Sequence, residues 1–451
     1  MTTPKVHAEV LRKLLRAGAR SRLERLIDRL RPPDVAQILP ELAPEEVRIV
    51  FDVLFSGHRA GRTLRELPSE VLPSILEVLD DTRLADVLTR LAPDDGVAFL
   101  HALSEERRSR ITSSLPRERR EELERLLVYP ESTAGSVMTT RFLSIRESTT
   151  AQEAIDAIRR HTEDEVEQVF YEYVTDDAGR LRGVVPIRKL VSCPPGTPVS
   201  QIMIADPVAV QATADQEDVA SVVGKYNLLA VPVIDPDRRL LGVITVDDVI
   251  DVIHEEATED MFRMVGLSQE EHVFSPLFRS IRRRLPWMVV NLGTAFLAAA
   301  VVGLFESSID RVVALAVFLP VVAGMGGNGG IQTLTVITRG IALGELTLDV
   351  GLRAVAREMA IGAAIGTTVG VLTALGAWAW RGQPVLGLVL LLSMMITMAT
   401  AGLAGAAIPL LLKALGQDPA LGSGVLVTTV TDVLGFVSFL GIATLLLAYL
   451  N

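Results

Sequence analysis

The sequence predicts a multidomain membrane protein: an all-α helical N-terminal domain, a repeated α/β module and a five-helix transmembrane domain. Three observations carry this. Charge is divided unevenly, with six Lys/Arg and seven Asp/Glu in the 166 residues from Pro286 to Asn451, against 38 basic and 48 acidic groups in the first 285. Five stretches, near 286–305, 312–338, 359–380, 384–412 and 421–450, are apolar, and each approaches or exceeds the roughly 20 residues that cross about 30 Å of hydrocarbon. Residues 136–192 and 201–253 also read as two copies of one unit.

The helical domain comes first. Residues 1–130 carry the segments LRPPDVAQIL, LAPEEV and LAPDDGV, in which Leu, Pro and acid punctuate amphipathic stretches. The opening MTTPKVHAEVLRKLLRAGARSRLERL is charged throughout and lacks an apolar core segment, so no cleavable signal is expected there. The single Cys193 fits a reducing compartment. A net charge of −10 over the first 285 residues argues against nucleic acid as a partner and favours cations.

The repeat follows. SVMTTRFLSIRESTTAQEAIDAI and QIMIADPVAVQATADQEDVASVV each open on a VM or IM pair and run strand, turn, helix. LRGVVPIRKLV and LLGVITVDDVI close them with a matched strand and helix. Repetition over two whole units is a stronger signal than any single motif in them.

In the membrane half, Arg282, Arg283 and Arg284 precede the first span, and Arg339, Arg353, Arg357 and Lys413 follow even-numbered spans. This bias places the N-terminus in the cytosol and the C-terminus outside. Asp432 is the only acidic or basic residue between Leu421 and Asn451 and lies near mid-membrane. A charge there costs on the order of 2.5–3.5 kcal/mol on insertion scales, so it marks an ion path, or a protonated acid bonded to a neighbouring helix. Thr428, Thr429 and Thr431 make its surroundings polar. The run VVAGMGGNGGIQT, residues 321–333, has two readings: Gly326 and Gly330 form a close-packing GxxxG pair, or Gly324, Gly326, Gly327, Gly329 and Gly330 break the helix and turn carbonyls to a lumen. Asn328, Gln332, Thr333 and Thr335 add neutral oxygens, which suit a hard, partly hydrated cation.

The paired units are similar to a tandem CBS (Bateman) module. A helical domain, paired CBS units and five spans with a Gly-Gly-Asn-x-Gly-x-x-Gln element and an Asp in the last span together resemble the MgtE family of magnesium channels and transporters. The resemblance covers essentially the whole chain. It implies an N domain at 1–130, CBS units at 131–200 and 201–253, a connecting plug helix at 254–280 and a pore domain at 281–451. It further implies a homodimer in the cytoplasmic membrane with the pore at the subunit interface, and Mg²⁺ bound by Asp432 with Asn328, Gly326, Gly327, Gln332 and Thr428 along the same path.

Asp248, Asp251, Glu255 and Glu259 lie three and four apart, so one helical face carries a line of carboxylates. Such a line is ordinarily a solvated face. Beside a cation pore it reads as a regulatory metal surface, with Asp94, Asp95, Asp215, Glu217 and Asp247 as further carboxylates. Apposed carboxylates repel, and a divalent cation between them reverses this, so high cytosolic Mg²⁺ is expected to favour a compact closed state. GVITVDDV resembles a stretch that holds adenosine ribose and phosphate, which makes ATP or another adenine nucleotide a candidate regulator at Thr245 and Asp248.

No Walker element, HExxH, Cys/His cluster or nucleophile elbow occurs, so an enzyme is not expected. The alternatives are a transporter of Co²⁺, Mn²⁺ or Ni²⁺, a CBS-regulated secondary transporter, and a membrane-anchored nucleotide sensor. Near Asp432 no His or Cys offers a soft ligand, and no basic residue at depth suits an anion.

Overall fold

The computed structural model describes residues 4–68, 71–160, 170–267, 271 and 277–450, and the chain forms two compact units, Met1–His254 and Glu255–Asn451. The first unit opens on short helices: α1 (Pro4–Arg16), α2 (Arg20–Arg29), α3 (Pro32–Ala36), α4 (Pro44–Ser56), α5 (Ala60–Arg65), α6 (Leu72–Leu76), α7 (Asp81–Arg90), α8 (Pro93–His101), α9 (Glu105–Ser114) and α10 (Arg117–Leu126). The Leu/Pro/acid punctuation sets their starts. Proline tolerates the first helical turn because its missing N–H would be unpaired there anyway. Two residues on, an acid turns back: Asp34 accepts from the Arg31 N–H at 3.2 Å and Glu46 from the Ala43 N–H at 3.0 Å.

The opposite helix ends are closed from a distance. Arg59 donates to the carbonyls of Ile27 and Leu30, Arg107 to those of Leu76 and Leu79, and Arg119 to Leu88 at 2.8 Å and Leu91 at 2.7 Å. Each guanidinium satisfies last-turn carbonyls of a helix about thirty residues earlier, which ties successive layers together. Between them runs one continuous apolar core that includes Leu23, Phe51, Leu64, Leu88 and Leu123.

The repeated module follows with α11 (Ala134–Val137), β1 (Ser144–Arg146), α12 (Ala151–Arg160), β2 (Tyr171–Thr175), β3 (Leu181–Pro186), α13 (Ile187–Ser192), α14 (Val199–Ile202), β4 (Ile204–Ala205), β5 (Val210–Gln211), α15 (Gln216–Tyr226), β6 (Ala230–Ile234) and β7 (Leu240–Thr245). One sheet has the order β1-β2-β3-β4 and the other β5-β6-β7, each with a parallel pair followed by an antiparallel one. The two copies share even a register shift, at Val174/Thr175 and at Val233/Ile234.

The structure explains why each copy opens on a methionine and closes on a glycine strand. β4 belongs to the second copy by sequence but pairs with β3 of the first, Gly183 opposite Ala205. In return Thr139 bridges Val243. A Cβ on Gly183 would lie 2.7 Å from the Met203 sulfur, and one on Gly242 2.7 Å from the Met138 sulfur. Each copy's methionine therefore fills the space left by the other copy's glycine, and a strand that follows residue 200 pairs with the sheet that precedes it.

α16 (Val246–Met264) starts directly after β7 and ends before Gly266, whose φ of +72° is costly for other residues. Of the expected connecting helix at 254–280, residues 254–264 complete α16 and 277–280 open the next helix, while 268–270 and 272–276 lie outside the described residues. In the second unit follow α17 (Leu277–Gly303), α18 (Glu306–Arg311), α19 (Ala314–Ala342), α20 (Gly351–Arg381), α21 (Pro384–Ala414), α22 (Ser423–Leu445) and α23 (Leu447–Leu450). Five of these, α17 and α19 to α22, are long and apolar enough to cross a membrane. α20 and α21 form a close hairpin: a Cβ on Gly366 would lie 2.7 Å from the Met394 carbonyl oxygen, and one on Gly370 2.9 Å from that of Leu391.

The glycine run does not break its helix. α19 is continuous through Gly324–Gly330. Each internal glycine costs a helix about 1 kcal/mol relative to alanine, but unpaired backbone groups at membrane depth cost several kcal/mol each. Continuity wins, and the glycines serve close approach instead.

Candidate ion pathway and regulatory surface

The glycines of α19 divide between two roles. A Cβ on Gly326 would sit 2.8 Å from the Thr397 methyl, on Gly329 2.6 Å from the Met398 methyl and on Gly330 2.5 Å from Val427. These three let α19 seat against α21 and α22. Gly324 has nothing within 4 Å, and Gly327 meets only the Thr428 methyl at 3.8 Å. Close packing therefore accounts for Gly326, and for Gly327 it does not.

Asn328, Gln332 and Thr335 are exposed together with Gly324, on a side of α19 that the chain itself leaves uncovered. On α22, Thr431 is fully buried and lies 3.5 Å from a Cβ at Gly326. Asp432, the next residue, is half-buried. The hydroxyl of Thr428 donates to the Gly424 carbonyl at 3.0 Å, that of Thr429 to Val425 at 2.6 Å and that of Thr431 to Thr428 at 3.0 Å. Their donors are spent inside the helix, which leaves oxygen lone pairs as the only side-chain polarity that the partly exposed Thr428 and Thr429 present outward. Together these residues offer hydroxyl and amide oxygens and one carboxylate, and none of them is basic.

Sequence reasoning missed a fastening at the end of α16. Arg263 forms ion pairs with Glu259, one turn back, and with Asp418 in the turn between α21 and α22. Its carbonyl accepts from the Gly422 N–H at 2.9 Å. The Trp287 ring lies over Gly266 and Gly422, where a Cβ would come within 2.6 and 2.8 Å of it. Burial first, then Asp418 and Glu256, push the Asp260 carboxyl up to about 6. The signal was present as a lone Arg in an acidic helix, but its partner lies 155 residues away.

In the first unit the expected regulatory carboxylates separate. Asp94 is buried at the start of α8 and Asp95 lies 3.5 Å from Arg65. Asp215 caps α15, accepting from the Glu217 N–H at 2.8 Å, and the Glu217 side chain is exposed on the first turn. Asp247 and Asp248 each lie 3.3 Å from Arg65, and Asp248 also accepts from the Thr245 hydroxyl at 2.6 Å. Thr245, itself buried, and Asp248 are thus paired with each other. Asp251 is exposed, Glu255 half-buried and Glu259 buried against Arg263. Among the described residues no three His, Cys, Asp or Glu side chains converge as a metal-holding group.

Comparison with known proteins fits this arrangement. Residues 319–442 match a family model described as MgtE, a divalent cation transporter, residues 30–132 the MgtE intracellular N domain, and residues 134–196 and 199–255 the CBS domain. The Magnesium transporter MgtE of Thermus thermophilus is 35% identical over 97% of this chain and 98% of its own length. That of Bacillus subtilis is 31% identical over 96% and 95%. A crystal structure of the cytosolic domain of the Mg²⁺ channel MgtE in complex with ATP covers 54% of this chain and 99% of its own, at 33% identity and a TM-score of 0.51. Helical N domain, paired CBS units and membrane spans all find their counterparts in these matches, and the chain belongs to the MgtE family of magnesium transporters.

Proposed function

We propose that this chain forms a homodimeric Mg²⁺ channel of the cytoplasmic membrane, with its N-terminus in the cytosol, its C-terminus outside and the pore between subunits. The observation that carries it is the uncovered side of α19. Asn328, Gln332 and Thr335 are exposed there, beside the helix that bears Asp432. Polar groups at membrane depth need a polar surface, and a second copy around a hydrated ion supplies one. Asp432 holds the ion, Asn328, Gln332 and Thr428 contact its hydration shell, and Gly327 leaves room for it.

Mg²⁺ enters down its gradient. A potential of about 100 mV, inside negative, favours a divalent ion by roughly 4.6 kcal/mol, so an unregulated path would overload the cell. The acidic surface at Asp215, Glu217, Asp251 and Glu255 responds to cytosolic Mg²⁺, and the fastening of Arg263 to Asp418 holds the pathway closed. The ATP complex of the related cytosolic domain supports a nucleotide regulator near Thr245 and Asp248. Because the family model describes divalent cations generally, Co²⁺, Mn²⁺ and Ni²⁺ are the competing cargo. Uptake of each ion into liposomes containing the purified protein tests the reading. Mg²⁺ uptake that Asp432→Asn abolishes is expected; uptake unaffected by that change would overturn the pore assignment.

A further inference from the structure

Along α17 only Ala298 is buried, the least cover of any of the five spans. Leu285, Met288, Leu292 and Phe296 recur at the three- and four-residue spacing of one helical face, and each is more than half exposed. Where this stripe begins, the helix turns basic. Arg282 precedes Leu285 by three residues and shares its side, and Arg279 lies one turn further back; both are exposed. Arg284 is taken by Glu271 at 2.8 Å, but among the described residues no carboxylate forms an ion pair with Arg279 or Arg282. Pro286 adds an acceptor beside them. It has no N–H, so the Arg282 carbonyl receives no bond from the next turn of the helix.

Two guanidiniums at the head of an apolar stripe fit a ligand divided in the same way. Arginine stays charged, pairs with phosphate through two parallel N–H donors and lays its carbon stem along apolar surface. From Leu285 to Phe296 the helix rises about 16 Å, close to the roughly 15 Å of hydrocarbon in one leaflet. A zwitterionic headgroup brings its own cation and leaves both guanidiniums in excess. An anionic headgroup neutralises them, and a hydroxyl on it can donate to the Arg282 carbonyl.

We propose that α17 carries a binding site for an anionic phospholipid of the leaflet in which the helix begins, with the phosphate held by Arg279 and Arg282 and an acyl chain lying on the stripe from Leu285 to Phe296. The inference goes beyond the transport reading and does not depend on which ion is carried.

Native mass spectrometry of the full-length protein in detergent, titrated with dioleoyl phosphatidylglycerol or dioleoyl phosphatidylcholine, tests it. The first phosphatidylglycerol should bind at least about tenfold more tightly than phosphatidylcholine, and Arg279→Gln with Arg282→Gln should cut that preference to about threefold or less. Phosphatidylcholine binding should be unchanged in this variant, which shows that it remains folded. Arg353→Gln with Arg357→Gln removes as much charge from exposed positions of α20 and should keep the preference. A second copy of the chain is the competing occupant of the stripe, and Leu285→Cys in a Cys193→Ser background reads it: cross-linking between copies in bilayers should be slow. The proposal is overturned by equal binding of the two lipids to wild type, by a preference that survives loss of Arg279 and Arg282 or falls equally with Arg353 and Arg357, or by rapid cross-linking through Leu285→Cys.

Discussion

Glu172→Gln should abolish a pH dependence of folding stability in the soluble half. Glu172 lies in β2 opposite Val185, is completely buried, and among the described residues neither carboxylate oxygen has a hydrogen-bond partner. Burial pushes its pKa from 4.5 to about 7. Below about pH 4.5 the acid is neutral in both folded and unfolded chains and costs little more than its unmet hydrogen bonds. As pH rises toward 7 the unfolded chain ionises while the folded one keeps its proton, so stability falls and then levels off. A gap of about 2.5 units at 1.36 kcal/mol each makes the loss about 3 kcal/mol at pH 8. Glutamine has the same shape and carries a buried-amide cost that does not change with pH. The stability of the variant minus that of wild type should therefore rise by about 3 kcal/mol between pH 4.5 and pH 8. Urea unfolding of residues 1–267, followed by circular dichroism, measures it; a related cytosolic domain has been crystallised as a separate chain. A difference that stays constant across this range would show that Glu172 is solvated or paired in the folded protein, and the argument would fail.

The other predictions concern the membrane half. Asp432→Asn should leave assembly and membrane insertion intact and lower Mg²⁺ flux at least about tenfold, a loss of 1.4 kcal/mol or more in ion binding; liposome uptake and cross-linking on one preparation check both. Gly330→Ala should reduce thermal stability, since its Cβ would meet Val427 at 2.5 Å, whereas Gly327→Ala, 3.8 Å from Thr428, should keep stability and change flux. If both variants lose only stability, Gly327 belongs to packing alone. Arg263→Gln removes the cation between Glu259 and Asp418 and leaves the fastening to repelling carboxylates. Residual Mg²⁺ uptake at high internal Mg²⁺ should then rise several-fold, and unchanged closure would show that the fastening does not gate.

What the sequence revealed depended on how local each signal is. Spans, helix starts and the repeated unit are written in hydropathy and short spacing, so α17 and α19 to α22 were legible, as were the Pro-and-acid starts at Asp34 and Glu46. The exchange of β4 onto β3 was not, because nothing in IMIADP says which copy's sheet it joins. The methionine and glycine that mark each repeat were visible as a pattern, yet their reason, Met138 over Gly242 and Met203 over Gly183, is a tertiary contact. The glycine run shows the same limit. Composition announced that α19 gives up side chains but could not say that Gly326, Gly329 and Gly330 meet neighbours while Gly324 meets none.

The acidic helix α16 shows why counting charges misplaces a sensor. From its sequence, Asp248, Asp251, Glu255 and Glu259 look equivalent, a row of carboxylates waiting for a cation, with Asp247 beside them. The folded chain sorts them by counter-ions drawn from far away: Arg65, 183 residues before Asp248, takes the first pair, and Arg263 ties Glu259 to the turn at Asp418. A carboxylate already neutralised by a guanidinium gains little from a divalent cation, because the ion must first displace a charge that is tethered and never dilutes. Of this row only Asp251 is exposed, so a cation response concentrates there and on Asp215, exposed at the start of α15. For the same reason, neutralising Asp251 and Asp215 together should blunt closure by cytosolic Mg²⁺, whereas neutralising Asp247 alone should leave the Mg²⁺ concentration for half-closure nearly unchanged. If flux measured against internal Mg²⁺ moved equally for both variants, the two arginines would not be partitioning the acids, and the sensor would be the whole row after all.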